Sequence, residues 1–443
     1  MAKVSASILY IIEAFLGSFY VAITRTLTPI MLVRVGYSVK DLLLLNGFAG
    51  LSSLLFIVFL YRYFERKRVI GWRLVVSHFL ERVAWLMIPF MIFSREFTTL
   101  SYILAFLTAT STPLLLNASL LELFTGEQYR RVLAYRSAMG ASAGITAQLL
   151  LASILSVSPS LETYTSLYLL AFGIGSLATI TVVLGGIPKT ITSGYEKREL
   201  EVEVKATNTF ILLLTLLIAS NLLGIVWVPW LLRELRAPDY LVVVVSFAQA
   251  ISSIPASMIW RKAGTRSYRV AIIGLSIIPF TIYFTRVAYL HPFIAFFYGF
   301  LLTGSNFYAS IAYSLIVRSI GVIRASALLV SANSLALAFT GLSGYLIGGI
   351  YIYLFIISCI AGLLALTIGI LAIPEIAIIP PEHSRIYARL LYNTSINGYS
   401  FIVFALTETI VITLKIIGLI MGLSLLVFLY RVVYYIIMLS SGG

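Results

Sequence analysis

Four polar or aromatic residues share one helix face near residue 80 of the chain, at positions i, i+3, i+4 and i+7: His78, Glu81, Arg82 and Trp85. An imidazole beside a carboxylate can pass protons, so one interpretation of this face is a proton relay. The alternative is that Glu81 and Arg82 neutralise each other and fix the packing of the helix.

Glu13 is a further carboxylate within an apolar stretch, and its helix face also carries Gly17, Tyr20 and Thr24. Ionisable groups inside a bilayer are costly and are usually functional, so Glu13 is the leading candidate for a group that binds and releases a proton. The alternative is a carboxylate near the helix end that reaches lipid headgroups. Arg25 follows on the same helix and is expected to extend to the membrane surface.

The composition assigns these residues to a membrane protein. Of 443 residues, 60% are hydrophobic and 11% are charged, and the mean hydropathy is +1.02. Soluble chains are about 45–50% apolar and about 25% charged, so a cytosolic enzyme, a disordered protein and a secreted domain are excluded. One cysteine and three widely separated histidines predict no disulfide framework, no metal site and no cofactor. The net charge of +14 is spread in short clusters between apolar runs, which argues against a nucleic-acid partner.

Twelve apolar runs before residue 374 are long enough to cross a bilayer, at about 20 residues per crossing. They cover 6–33, 41–61, 74–93, 97–122, 136–157, 165–187, 208–232, 239–260, 270–290, 292–317, 325–348 and 349–373. The charged stretch from Pro188 to Asn208 divides them six and six. We therefore predict an all-α polytopic membrane protein with two six-helix bundles, 1–187 and 208–373, joined by a cytoplasmic linker over 188–207.

The last part of the chain, 374–443, is predicted to be a polar segment with three prolines followed by an extra hydrophobic helix within 401–438. That helix is expected to be a thirteenth membrane crossing, and the alternative is an amphipathic segment on the inner membrane surface.

The distribution of Lys and Arg between alternate loops predicts the orientation. One set of loops and flanks holds 18 of these residues and the other holds 6. Because cytoplasmic loops of membrane proteins are rich in Lys and Arg, we expect a cell-membrane protein with a cytoplasmic N-terminus.

Six plus six crossings around a charged central loop resemble the major facilitator superfamily, and several short motifs are similar to those of that family. The basic cluster from Tyr61 to Arg68 and the segment from Arg261 to Arg266 resemble its loop motif, although both lack the family's Asp. The stretch from Glu122 to Arg130 looks like its gating segment, one residue longer and without the Pro. The small residues that follow Arg136, together with Arg324 and the glycines from Gly341 to Gly349, resemble its fifth helix, tenth loop and eleventh helix.

This resemblance implies a secondary transporter, not an enzyme, whose two bundles rock around a central site lined by the first, fourth, seventh and tenth helices. It implies a small-molecule substrate and a monomeric chain embedded in lipid, with coupling to protons as one option. Candidate coupling or substrate-pathway residues are Glu13, Tyr20, Arg25, His78, Glu81, Arg82, Asn117, Asn221, Trp227, Asn306, Ser310 and Tyr313. Candidate gating residues are Glu122, Arg130, Arg131, Gly264, Arg266 and Arg324. For the Asn, Ser, Trp and Tyr residues the alternative is a hydrogen bond between helices, and for the gating charges it is a role in topology alone.

Two other functions stay open at this point. An intramembrane enzyme acting on a lipid-linked substrate would need convergent acids or a metal site at a membrane face, and the sequence offers no such cluster. A non-transporting scaffold subunit would use 401–438 as a docking helix. The sequence does not predict the solute or the direction of its movement.

Overall fold

The long apolar runs of the sequence form long helices along almost the whole of the described chain. The computed structural model describes residues 2–67, 70–124, 126–188, 200–320, 322–398 and 400. Up to residue 372 these residues form twelve long helices and no strand: α1 (Ala2–Arg34), α2 (Val39–Lys67), α3 (Trp72–Met91), α4 (Arg95–Leu123), α5 (Gly126–Val157), α6 (Leu161–Gly185), α7 (Leu200–Pro229), α8 (Asp239–Lys262), α9 (Tyr268–Phe284), α10 (His291–Ile320), α11 (Val322–Leu346) and α12 (Tyr351–Ala372).

Ten of the described helices, α1 to α8 together with α11 and α12, are long and apolar enough to cross a membrane by length and composition. Helix α9 is a shorter apolar helix of 17 residues. The chain is therefore a multi-pass membrane protein, and the predicted all-α polytopic class is confirmed.

Glycine explains the boundary that the apolar pattern marked most weakly, between α11 and α12. Gly348 and Gly349 both adopt positive φ angles, of 83° and 72°, in the turn that separates the two helices. Residues with a Cβ rarely adopt that conformation, so these two glycines end one helix and permit the next to begin.

Helix α7 begins at Leu200, eight residues before the predicted start of the seventh crossing. Residues 200–207 are consequently helical, although the sequence analysis assigned them to the linker. Glu201 and Glu203 lie in the first turn, where carboxylates interact favourably with the helix dipole. At its other end α7 continues into a π-helical turn over Trp230–Glu234. The rest of the predicted linker, 189–199, lies outside the described residues.

The helices pack within each set of six and also between the sets. Helix α1 packs against α5 and α6, and α12 packs against α7 and α9. Between the sets, α2 packs along α11 and α5 packs along α8. The described residues up to 385 belong to one compact unit, and those from 386 onward belong to a second. The boundary between two bundles at 188–207 stays a prediction.

The α2–α11 contact brings two backbones together at glycine. A Cβ added to Gly50 would collide with backbone atoms of Leu337 and Ala338, and a Cβ added to Gly341 would collide with the backbone of Gly47. Small residues at such crossings let helices approach closely, which is how helices associate in lipid.

The C-terminal segment, expected to be polar and interrupted by prolines, contains a helix over 381–398. The predicted thirteenth crossing within 401–438 lies outside the described residues.

Candidate functional site

Two cavities lie between the first six and the second six helices. The larger has a volume of about 440 Å³ and is lined by α1, α5, α7, α8 and α10. The smaller, of about 370 Å³, is lined by α1, α2, α3, α4, α7 and α11. Arg25, Pro29 and Gly224 line both of them. These volumes fall within the range of small-molecule sites, roughly 300–1,000 Å³.

Arg25 occupies the position between the two cavities. Its guanidinium carbon lies 4.2 Å from the centre of the Trp85 ring and 4.3 Å from the centre of the Phe106 ring. The expectation that Arg25 extends to the membrane surface is therefore wrong. The attraction between a cation and the faces of two aromatic rings keeps the side chain inside the helix bundle.

The rings around Arg25 are themselves held in place. Trp85 packs against Tyr102 and Phe106, with ring centres 6.2 and 5.6 Å apart. The Tyr102 hydroxyl donates a 2.9 Å hydrogen bond to Oδ1 of Asn46 on α2. The guanidinium thus rests on a packed aromatic surface from α3 and α4.

Besides Arg25, three of the predicted pathway residues line the cavities. Asn221 lines the smaller one, and its Nδ2 donates to Oδ1 of Asn333 at 3.3 Å. Trp227 and Asn306 line the larger one, and Trp227 donates from Nε1 to Nδ1 of His291 at 2.9 Å.

Three further pathway candidates lie on α4 and α10. Asn117 lies on α4 and lines neither cavity. Ser310 and Tyr313 lie on α10, but their side chains are outside the described residues.

Gln148 on α5 is a cavity residue that the sequence analysis missed. It lines the larger cavity and is only 9% exposed, and its Oε1 has no hydrogen-bond partner among the described residues. An amide side chain within an apolar crossing was the one available signal in the sequence. A polar atom buried without a partner is uncommon, since leaving it unpaired costs about 1–3 kcal/mol.

Glu13 does not line either cavity but is the centre of a buried ionic network. Its Oε2 accepts a 2.5 Å hydrogen bond from Arg136 of α5, and its Oε1 lies 3.3 Å from Nε2 of His78. The Arg136 guanidinium also bonds the carbonyl of Tyr10. Glu13 is 4% exposed and His78 is fully buried.

Glu81 and Arg82 extend the same network. Arg82 donates to Glu81 at 3.0 Å, to the carbonyl of His78 at 2.7 Å and to Nε2 of His78 at 3.1 Å. Tyr20 donates its hydroxyl proton to the carbonyl of Glu81 at 3.2 Å, and Arg82 lies over the Tyr20 ring. Two carboxylates and two guanidiniums balance in charge, which makes their burial tolerable.

Glu13, Tyr20, His78, Glu81 and Arg82 face one another across α1 and α3 and line neither cavity. Their role in coupling or in the substrate pathway stays a prediction. Glycine makes the room for them. A Cβ on Gly175 of α6 would lie 2.8 Å from Cγ of Arg82, and one on Gly17 would lie 3.1 Å from the Glu13 carboxylate.

His78 sits between a donor and an acceptor that compete for one nitrogen. Arginine only donates, so the bond from Arg82 to Nε2 needs a neutral ring whose Nδ1 donates to Thr179 at 2.8 Å. A protonated ring would instead donate from Nε2 to Glu13 and lose the bond from Arg82. The two protonation states of His78 therefore favour different contacts.

A set of polar contacts joins the first six helices to the second six at the end of the bundle where α1 ends. Arg34 donates from Nε to Oδ1 of Asp239 at 2.6 Å, and the Tyr164 hydroxyl donates to the other oxygen of that carboxylate. Arg233 donates to the carbonyl of Tyr37 at 2.7 Å. We call these three interactions the Arg34-end contacts. Asp239 is 3% exposed, whereas the Arg34 side chain is 45% exposed, so the carboxylate is buried and its arginine partner reaches the surface.

The predicted gating residues lie at the opposite end of the helices. Glu122 is in the last turn of α4 and Arg131 is exposed near the start of α5, while the side chain of Arg130 is outside the described residues. Gly264 and Arg266 are exposed between α8 and α9. Arg324 of α11 forms an ion pair with Glu203 of α7 at 3.9 Å. Their role as a gate stays a prediction.

Comparison with known proteins identifies the fold. A mutant of the nucleoside transporter NupG matches with a TM-score of 0.60 at 12% identity, covering 83% of this chain and 98% of that one. A variant of the Escherichia coli fucose:proton symporter FucP matches with a TM-score of 0.56 at 12% identity, over 83% and 98%. A bacterial homologue of the human lysosomal transporter Spinster, inward-facing and occupied, matches at 0.52 and 16% identity, over 91% and 94%.

These solved structures are all transporters of the major facilitator superfamily, and the chain has their fold. The resemblance to the major facilitator superfamily, which the sequence motifs indicated, is thus confirmed for the fold. No protein-family model and no curated protein sequence matches the chain.

Proposed function

We propose that this chain is a secondary active transporter that moves a small solute across the membrane by alternating access. The observation that carries the proposal is the pair of central cavities between the two sets of six helices, in a fold shared with solved transporters. Arg25, Asn221 and Trp227 present polar groups to these cavities inside a membrane-spanning bundle. A scaffold subunit has no need of such cavities.

The Arg34-end contacts supply the part of the structure that must change during transport. Opening a path from that end requires Asp239 to separate from Arg34 and Tyr164, and Arg233 to leave the carbonyl of Tyr37. Hydrogen bonds to charged groups are worth roughly 1.5–3 kcal/mol each, so opening this end is costly unless the open state makes compensating contacts.

We propose that the Arg34 end faces the outside of the cell and that the N-terminus is cytoplasmic. Connections at the opposite end hold most of the Lys and Arg residues, 18 against 6. In this orientation the Arg34-end contacts close the outer side of the pathway.

Coupling to protons through Glu13 is the finer part of the proposal. Glu13 of α1 contacts His78 of α3 and Arg136 of α5, so a proton arriving on Glu13 weakens the ion pair that joins α1 to α5. Nε2 of His78, which lies near both Glu13 and Arg82, offers that proton a second binding position. Since α1 also carries Arg25 at the cavities, a change at Glu13 is transmitted along the same helix.

Transport is tested with the purified chain in proteoliposomes, using counterflow of labelled sugars, nucleosides and organic acids. A transporter accumulates at least one solute in a saturable manner. The matched test is a variant with Arg34→Cys and Asp239→Cys in a Cys359→Ala background. We expect a reducible bifunctional thiol reagent to stop its counterflow and a reductant to restore it.

The two single-cysteine variants treated with the same reagent are the controls, and their counterflow should not change. Accumulation of no solute, or full counterflow in the crosslinked double variant, would contradict alternating access. In the first case, a stoichiometric partner that co-purifies with the chain would favour the scaffold alternative.

A further inference from the structure

Arg25 differs from Arg82 and Arg136, the arginines of the ionic network, because no carboxylate of the described chain forms an ion pair with it. Arg82 is bound to Glu81, and Arg136 is bound to Glu13. Among the described residues, Arg25 is also the one charged side chain that lines either cavity. A cation inside a membrane protein without a paired counter-charge is costly, so the charge of Arg25 is expected to have a function in the cavities that it lines.

The geometry at Arg25 leaves its hydrogen-bond donors available. The guanidinium rests over the Trp85 and Phe106 rings, which interact with the face of the cation and accept no N–H bond in its plane. No side-chain or backbone oxygen of the described chain accepts a hydrogen bond from it. The edge of a guanidinium matches the two oxygens of a carboxylate and can bind them both at once.

Gln148 provides a second, independent sign of a missing ligand. It lines the larger cavity together with Arg25, it is nine-tenths buried, and its amide oxygen has no partner among the described residues. A solute with a hydroxyl or amino group near its anionic end would pair with this amide. Arg25 and Gln148 come from α1 and α5, so one ligand would contact two helices of the first six.

We propose that Arg25 binds the anionic group of the transported solute, and that this solute is a small organic monoanion bearing a carboxylate. The assignment rests on the proposed transport function and specifies its substrate class. A single cation favours a single negative charge, because a dianion would bring an unbalanced charge into the membrane. The cavity walls are otherwise uncharged and partly apolar, which suits a carboxylate on a neutral body.

Paired compounds of equal shape test this assignment on the full chain in nanodiscs. The pairs are acetate with acetamide, lactate with lactamide and benzoate with benzamide, and inorganic phosphate, glucose and uridine complete the panel. We expect at least one carboxylate to raise the melting temperature and its amide to have no effect. Arg25→Gln should weaken binding of that carboxylate on the order of ten- to hundred-fold, and Arg25→Lys should restore part of it.

Arg286→Gln is the matched control, since Arg286 also lies over two aromatic rings, Trp230 and Tyr283, but lines neither cavity. It should bind the carboxylate as the unmodified chain does. Size-exclusion elution and the melting temperature without solute verify that Arg25→Gln is folded.

Three results would overturn the assignment: stabilisation by neutral solutes or phosphate alone, equal binding of the carboxylate by Arg25→Gln, or no effect of any carboxylate. Counterflow distinguishes failure of the carboxylate assignment from failure of the transport function. Uptake of a neutral solute that is unchanged in Arg25→Gln would refute the anion site and support the transport function. Absence of all counterflow would refute the transport function itself.

Discussion

Glu13 and His78 are 65 residues apart in sequence, and the structure brings them to 3.3 Å. The sequence analysis selected both, because charged residues in apolar crossings are rare. It could not predict that they meet, since the rotation of α1 against α3 depends on packing. It gave no role to Arg136, because the predicted fifth crossing begins at that residue, whereas α5 begins at Gly126 and carries Arg136 into the bundle.

At the residue scale, Glu13→Gln tests proton coupling. The change keeps the size of the side chain and removes the group that would bind the proton. With a solute identified by counterflow, we expect uptake driven by a pH gradient to be lost while counterflow, which needs no coupling, continues. The control is Glu96→Gln, which alters an exposed carboxylate at the start of α4. Full gradient-driven uptake by Glu13→Gln would refute the role of Glu13.

The stability of this variant has to be measured alongside, because it leaves Arg136 buried without a counter-charge. Breaking one partner of a buried ion pair typically costs about 3–5 kcal/mol. The double variant Glu13→Gln/Arg136→Gln removes both charges and should recover part of that loss in thermal unfolding. Its uptake then reports on coupling without the unpaired cation.

At the scale of the helices, hydropathy located the ten described helices that are long and apolar enough to cross a membrane, because the bilayer fixes the length of a crossing. The α11–α12 boundary followed from Gly348 and Gly349, whose positive φ angles are a local property. Pairing of α2 with α11 was not predictable in this way. It depends on Gly47, Gly50 and Gly341 meeting although they are far apart in sequence, and any glycine-bearing helix face was an equal candidate.

Gly50→Ala tests that helix contact. A methyl group at Gly50 would collide with backbone atoms of Leu337 and Ala338, which cannot move as a side chain can. We expect a loss of about 1–3 kcal/mol in unfolding free energy, the usual range for overpacking. Gly173→Ala on α6 is the control, because its Cβ would meet no atom within 4 Å. It should be neutral or slightly stabilising, and equal effects at the two positions would contradict the close crossing.

At the scale of the whole molecule, the central cavities and the Arg34-end contacts together describe one state of the proposed transporter. Arg34, Tyr164 and Asp239 lie on three helices from both sets of six, and their meeting is a property of the assembled fold. The basic-residue bias predicted which end faces the cytoplasm, but not which end is held closed. That second property arises from pairings between distant charges, which hydropathy and charge counts do not encode.

Pulsed EPR distance measurement on spin-labelled chain in nanodiscs is the most direct test of alternating access. One label pair at Ser158 and Arg286 reports on the Arg34 end, and another at Arg131 and Lys262 reports on the opposite end, each in a Cys359→Ala background. We expect Asp239→Asn, which weakens the bonds to Arg34 and Tyr164, to lengthen the first distance and shorten the second. Distances that stay fixed in both pairs, or that lengthen together, would contradict the account.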